Sequence, residues 1–110
     1  MNYFSLGEIV TDLAPEAEKK NLRNSEGAFL RLGNGDLIFI YSRFRDESAA
    51  DAAASDLCRI TFDGELHEKS TDILLKCEDE GAMNIMSVSL LRMENGDIGL
   101  FYLVRKNESD

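Results

Sequence analysis

Acidic and basic side chains suited to proton transfer or ligand clamping are spread along this chain rather than gathered in one motif. A carboxyl group brought within hydrogen-bond reach of a reacting oxygen can give or take a proton. Asp51 is the best candidate for that acid/base role, and the competing reading is a loop aspartate that caps a turn. Glu26 stands beside small residues at the start of an expected strand. It suits an acid/base role or a hydrogen bond to a ligand hydroxyl, and equally an exposed strand-end carboxylate. Arg43 follows an apolar run and is suited to clamping a carboxylate or pairing with Asp51 or Glu26. Asp56, Asn84 and Ser87 are weaker candidates for substrate-binding hydrogen bonds. A single His67 cannot anchor a His-rich metal site, and Cys58 and Cys77 form no Cys-x-x-Cys, so no metal or other cofactor is expected. Both cysteines read as small buried side chains, and Met83, Met86 and Met93 as core packing.

The elements that must position these residues are announced by an internal repeat. Phe29-Leu30-Arg31-Leu32-Gly33-Asn34-Gly35-Asp36-Leu37-Ile38-Phe39-Ile40-Tyr41 reappears from Leu90 to Tyr102 at a constant offset of 61 residues. Leu30, Arg31, Asn34, Gly35, Asp36 and Tyr41 recur identically. Self-similarity of this kind marks stacked units that cannot bury their apolar faces alone. Asn34-Gly35 and Asn95-Gly96 are hairpin signals for a type I′ turn, in which both central residues need positive φ. The first hairpin is expected to have arms over 26–32 and 37–41, and the second to span 84–105. Ser55–Phe62 reads as a third strand and Leu66–Lys76 as a weaker fourth, ending at the acidic turn Glu78-Asp79-Glu80-Gly81. Leu37–Tyr41 is apolar at successive positions, so both of its faces should be covered. Residues 45–53 form an alanine-rich connection, read as a loop or a short helix. The period is four antiparallel strands followed by two strands of a next unit, and radially repeated four-stranded sheets are the blades of a β-propeller. The division is a leader over 1–24, a first blade over 25–83, and the first hairpin of a second blade over 84–110. In a blade, the start of the first strand and the connection after the second lie at one end. Glu26, Arg43, Asp51 and Asp56 are therefore expected to converge there, with Asn84 and Ser87 from the next unit.

Composition narrows the partners. The chain has 110 residues, 44% of them apolar, and a net charge of −9. That size allows one domain at most. The acidic balance argues against nucleic-acid backbones and anionic membrane surfaces as partners. No apolar run approaches the roughly 20 residues of a membrane span. The first residues carry no basic region or apolar core of a secretion signal, so a cytoplasmic location is expected.

Asn24 to Leu32, Tyr41-Ser42-Arg43-Phe44, Asp51 to Leu57 and Asn84 to Arg92 resemble the opening of the bacterial sialidase-like proteins, the BNR-repeat or neuraminidase superfamily. The resemblance covers about residues 22–107 but only the first third or so of such a domain. It implies an all-β, six-bladed propeller of which this chain supplies one four-stranded antiparallel blade and the first hairpin of the next. It implies a glycoside hydrolase acting on terminal sugars of glycans, here in truncated form. It also implies that Asp51 is the general acid/base, since it precedes the third strand as the catalytic aspartate of sialidases does. Ser25-Glu26-Gly27 stands where the family carries Arg-Ile-Pro, whose arginine binds the sialic acid carboxylate. Only Asp63 and Gly64 remain of the family's Asp-box. The alternative is a non-catalytic carbohydrate-binding or oligomeric assembly module of the same fold, completed by self-association or by further blades.

Overall fold

The computed structural model describes residues 11, 23–45, 50, 53–107 and 109. Six strands make up most of it: β1 (Asn24–Arg31), β2 (Leu37–Phe44), β3 (Ser55–Phe62), β4 (Glu68–Leu75), β5 (Asn84–Arg92) and β6 (Ile98–Arg105). A one-turn 3-10 segment, Cys77–Glu80, joins β4 to β5. β1 to β4 form a four-stranded antiparallel meander, and β5 and β6 form a separate two-stranded antiparallel sheet. The all-β reading and the order of four strands followed by two are therefore correct. Among the described residues no helix is long and apolar enough to cross a membrane. Most of the leader and of the alanine-rich connection, Asp46 and Asp51 included, lies outside the described residues.

The two hairpins share more than sequence. Ser25 pairs with Ser42 and Arg31 with Leu37 in the first. Met86 pairs with Leu103 and Arg92 with Ile98 in the second, each partner displaced by the repeat offset. The ladder breaks at one equivalent place in both, between Ser25 and Gly27 in β1 and between Met86 and Ser89 in β5. A bulge at this point bends the strand and increases its twist.

The turns differ from expectation in type. Gly35 and Gly96 have φ of 93° and 91°, but neither Asn34 nor Asn95 has positive φ. Gly35 N donates to Leu32 O at 3.1 Å and Leu32 N to Asp36 O at 2.7 Å, and Met93, Gly96 and Asp97 repeat the pattern. These are three-residue loops, a type I turn followed by a left-handed glycine, rather than type I′ turns. Asparagine selects this form because its side chain can stand in for a backbone acceptor. Asn34 Oδ1 accepts from Asp36 N, and Asn95 Oδ1 from Asp97 N, both at 3.0 Å.

β2 and β3 lie at the centre of the meander and bury both faces, as their continuous apolar runs require. One face carries Ile38, Ile40 and Leu57, in a core completed by Ile85 and Val88 of β5 and by Leu100 and Tyr102 of β6. The opposite face carries Tyr41, Cys58, Ile60 and Phe62, flanked by Leu37 and Phe39. The second hairpin thus lies as a layer on one face of the meander. Cys58 and Cys77 are both free and buried, as expected. The three methionines expected in the core are not there: Met93 is exposed, and Met83 and Met86 are half-buried outside both apolar clusters.

Gly27 follows the first bulge, where the Phe39 ring lies over it. A Cβ there would come within 2.6 Å of that ring and 2.7 Å of the Ile40 carbonyl oxygen, whereas one at Gly33 would meet nothing within 4 Å. Gly27→Ala is expected to destabilise the fold by about 1–3 kcal/mol through overpacking. Gly33→Ala should change it by no more than about 0.5 kcal/mol. The difference appears as a lowered urea midpoint for the first variant only, with the denaturant slope unchanged.

Candidate functional site

The candidate residues lie at the end of the sheets opposite the Asn-Gly turns, but the pleat separates them into two groups. Adjacent residues of a strand point to opposite faces, and paired residues of neighbouring strands point to the same one. Arg43 and Asp56 are direct partners across β2 and β3, on the side of Tyr41 and Cys58. Glu26, Asn84 and Ser87 lie on the other side, where the second hairpin packs. The expected convergence of all of them at one site is therefore corrected: the described candidates form two sites, back to back. Asp51 lies outside the described residues.

The first site is an open cleft of about 450 Å³ between the start of β1 and the ends of β5 and β6. Arg23, Glu26, Asn84, Met86, Leu103 and Arg105 are among its lining residues. Glu26 is exposed on the β1 bulge. Ser87, at the equivalent bulge of β5 with φ of 60°, donates from Oγ to Glu26 Oε2 across a long 3.4 Å. The two residues are 61 apart, so equivalent positions of the repeat face each other over the cleft. Asn84 is fully buried and donates from Nδ2 to Ala53 O at 2.7 Å. Beside it, Ser55 Oγ donates to Ile85 O at 2.6 Å and accepts from Ile85 N at 3.2 Å. These bonds fix the start of β5 to the start of β3, so Asn84 shapes the cleft floor from a position already bonded to the backbone. Arg23 lies over the Phe44 ring, 4.4 Å from its centre.

The second site, about 500 Å³, opens on the opposite face beside Arg43, Arg45, Asp56, Lys76 and Glu78. Arg45 is its centre, although the sequence singles it out only as the first residue of the alanine-rich connection. Its guanidinium donates from Nε to Asp56 Oδ2 at 2.7 Å and from Nη2 to Glu78 Oε2 at 2.6 Å, with further close contacts to the second oxygen of each carboxylate. Asp56, only 5% exposed at its side chain, also accepts from Cys77 N at 3.1 Å. Glu78, expected as a solvated turn residue, is exposed yet paired. Hydrogen bonding to Glu78 and then to Asp56 raises the Arg45 pKa, and the Arg45 guanidinium holds the Glu78 carboxyl down at about 2. Burial pushes the Cys77 thiol up. Asp56, Cys77 and Glu78 bring three possible metal-ligating atoms within 4.8 Å of one another. Arg45 is already paired with both carboxylates, so the guanidinium stands where a cation would, and the cluster acts as an ion-pair clamp.

Arg31 and Arg92, beside the turns, serve the backbone. Arg31 Nη1 donates to Gly35 O at 2.9 Å, and Arg92 Nη2 reaches across the repeat to Arg31 O. No known protein family, curated protein or solved structure matches this chain.

The clamp makes a pH signature. The folded pKa of Glu78 lies below its ordinary value of 4.5. Its contribution is therefore full above the unfolded pKa and is lost as pH falls from about 4.5 toward about 2. The urea midpoint of the wild type should exceed that of Glu78→Gln at neutral pH, and the gap should close across this window. Asp56→Asn removes the buried half of the clamp while Glu78 still holds Arg45, and is expected to cost about 1.5–3 kcal/mol at pH 7, the worth of hydrogen bonds to a charged group.

Proposed function

We propose that this chain forms the opening blade and a half of a sialidase-like glycoside hydrolase, and that its share of the work is to hold a terminal sugar in the cleft between the two hairpins. The observation that carries this reading is the meeting of Glu26 and Ser87, equivalent bulge residues of two successive repeats, across one cleft. Two further features support it. The hairpins have one register, bulge included, and they stack copy on copy, as successive propeller blades do. The cleft combines what a sugar needs: Met86 and Leu103 present apolar surface to a ring face, and Glu26 offers an acceptor to hydroxyl groups.

Binding and cleavage separate on chemical grounds. Most glycoside hydrolases use two carboxyl groups on either side of the scissile bond, and in sialidases a tyrosine takes the nucleophile's place, so an acid and a nucleophile are both needed. Among the described residues Glu26 is the carboxyl group lining the cleft, while Asp56 is committed to Arg45 on the opposite face. Asp51 remains the proposed general acid through the family resemblance alone. The described cleft thus holds the sugar, and turnover requires groups from outside the described residues, Asp51 as the acid and a separate nucleophile.

Titration with a panel of neutral and acidic monosaccharides, followed by amide chemical shifts, tests the reading. Saturable shifts are expected at Glu26, Asn84, Ser87 and Leu103. Glu26→Gln should weaken the best ligand by about tenfold, the worth of one charge-assisted hydrogen bond. Absence of saturable shifts at these positions, or unchanged affinity in Glu26→Gln, would overturn it. Aryl-glycoside turnover by the wild-type chain, lost by about 100-fold or more in Asp51→Asn, would instead make it a self-sufficient hydrolase.

A further inference from the structure

Within one chain, the second hairpin covers a face of the first, and this contact is a template for a second one. The covered face of the first hairpin is built from Ala28, Leu30, Leu32, Ile38 and Ile40. The repeat equivalents on the second hairpin are Ser89, Leu91, Met93, Gly99 and Phe101. Leu91, Met93 and Phe101 are among the most exposed apolar residues of the protein, Leu91 and Phe101 at 53% each. They form one surface: a Cβ built on Gly99 would meet the Phe101 ring at 2.9 Å and Met93 Sδ at 3.4 Å. The second hairpin covers its neighbour with Val88, Leu90, Leu100 and Tyr102. Their equivalents on the first hairpin are Gly27, Phe29, Phe39 and Tyr41, on the face turned away. There Tyr41 is buried, but Gly27 is exposed, Phe39 is half-buried, and Phe29 is, among the described residues, the most exposed large apolar one at 70%.

Each half of the internal contact thus has a counterpart at the same repeat positions, open at Leu91, Met93 and Phe101 on the second hairpin and around Phe29 on the first. We propose that a second copy of this chain seats its β1 outer face, centred on Phe29, on the outer face of β5–β6, centred on Leu91 and Phe101, repeating the internal packing between chains. The two patches are different surfaces, so the contact is heterologous: it leaves a free patch at each end and extends until a ring closes or a filament forms. Exposed apolar surface of this kind is uncommon on monomers. The inference shares with the proposed function only the stacking of the repeats, and it stands whether or not the cleft takes sugar.

Sedimentation equilibrium of the full chain tests it. The wild type is expected to exceed monomer mass as concentration rises. Phe29→Glu and Phe101→Glu, neither of which lines the cleft, should each weaken association by about 100-fold or more, because a charge placed at the centre of an apolar contact removes its anchor. An equimolar mixture of the two variants should form a dimer and stop there, since each supplies the patch that the other has lost. Should Phe101→Glu fail to give the wild-type circular dichroism, Leu91→Glu tests the same patch. A monomeric wild type at all concentrations, a mixture that stays monomeric, or dissociation by only one of the two variants would overturn the proposal. Sugar titration of the monomeric variants keeps the two readings apart, because their clefts are intact.

Discussion

Leu57 and Ile85 are buried to the last atom in one shared core, although one belongs to the meander and the other to the second hairpin. The rest of the structure depends on that layer contact. A four-stranded sheet whose central strands are apolar on both faces cannot stand in water with one of them open. β5 supplies the cover by packing against β1, β2 and β3, anchored where the Ser55 hydroxyl both donates to and accepts from the Ile85 backbone. The fit between layers is a fit between copies. Both hairpins bend at the same bulge, so their surfaces curve alike, and residues 61 apart meet at Glu26 with Ser87 and at Arg31 with Arg92.

The same stacking decides what the far end of the sheets can do. Once the hairpin covers one face, side chains on alternate sides of the meander enter different surroundings. On the covered side, the two bulges leave a cleft with a carboxylate, an amide floor and apolar walls. On the other, Arg45 ties together the end of β2, the start of β3 and the 3-10 turn through Asp56 and Glu78. The clamp spends its charge on structure, and the cleft keeps Glu26 exposed. That division leaves Glu26 open to solvent in the cleft, while Asp56 is committed to the clamp.

Much of the architecture was legible in the sequence, because hairpin signals and apolar runs are local. The repeat offset, the third strand from Ser55 to Phe62 and the burial of both cysteines all followed from such patterns. The turn type did not, because the Asn-Gly pair fits two geometries and the choice falls to a side-chain bond from Asn34 to the Asp36 amide. The convergence of Arg43 and Asp56 with Glu26 failed because position along a strand determines the end of the sheet, whereas parity determines the face. Arg45 and Glu78 are 33 residues apart, and no spacing rule links a residue ending one strand to a turn two strands later. Met93 was misread because apolar character alone does not distinguish a covered face from an open one. Asp51, the residue on which the hydrolase expectation leans most, lies outside the described residues.

The account stands on the stacking of one repeat upon the other in matching register. Nuclear Overhauser contacts in the isotope-labelled protein measure it directly. The side chains of Glu26 and Ser87, and the backbone of Arg31 with the side chain of Arg92, should show cross-peaks between residues of equal repeat position. Cross-peaks joining β5 to β1 in a different register, or a second hairpin with no contacts to the meander, would contradict it.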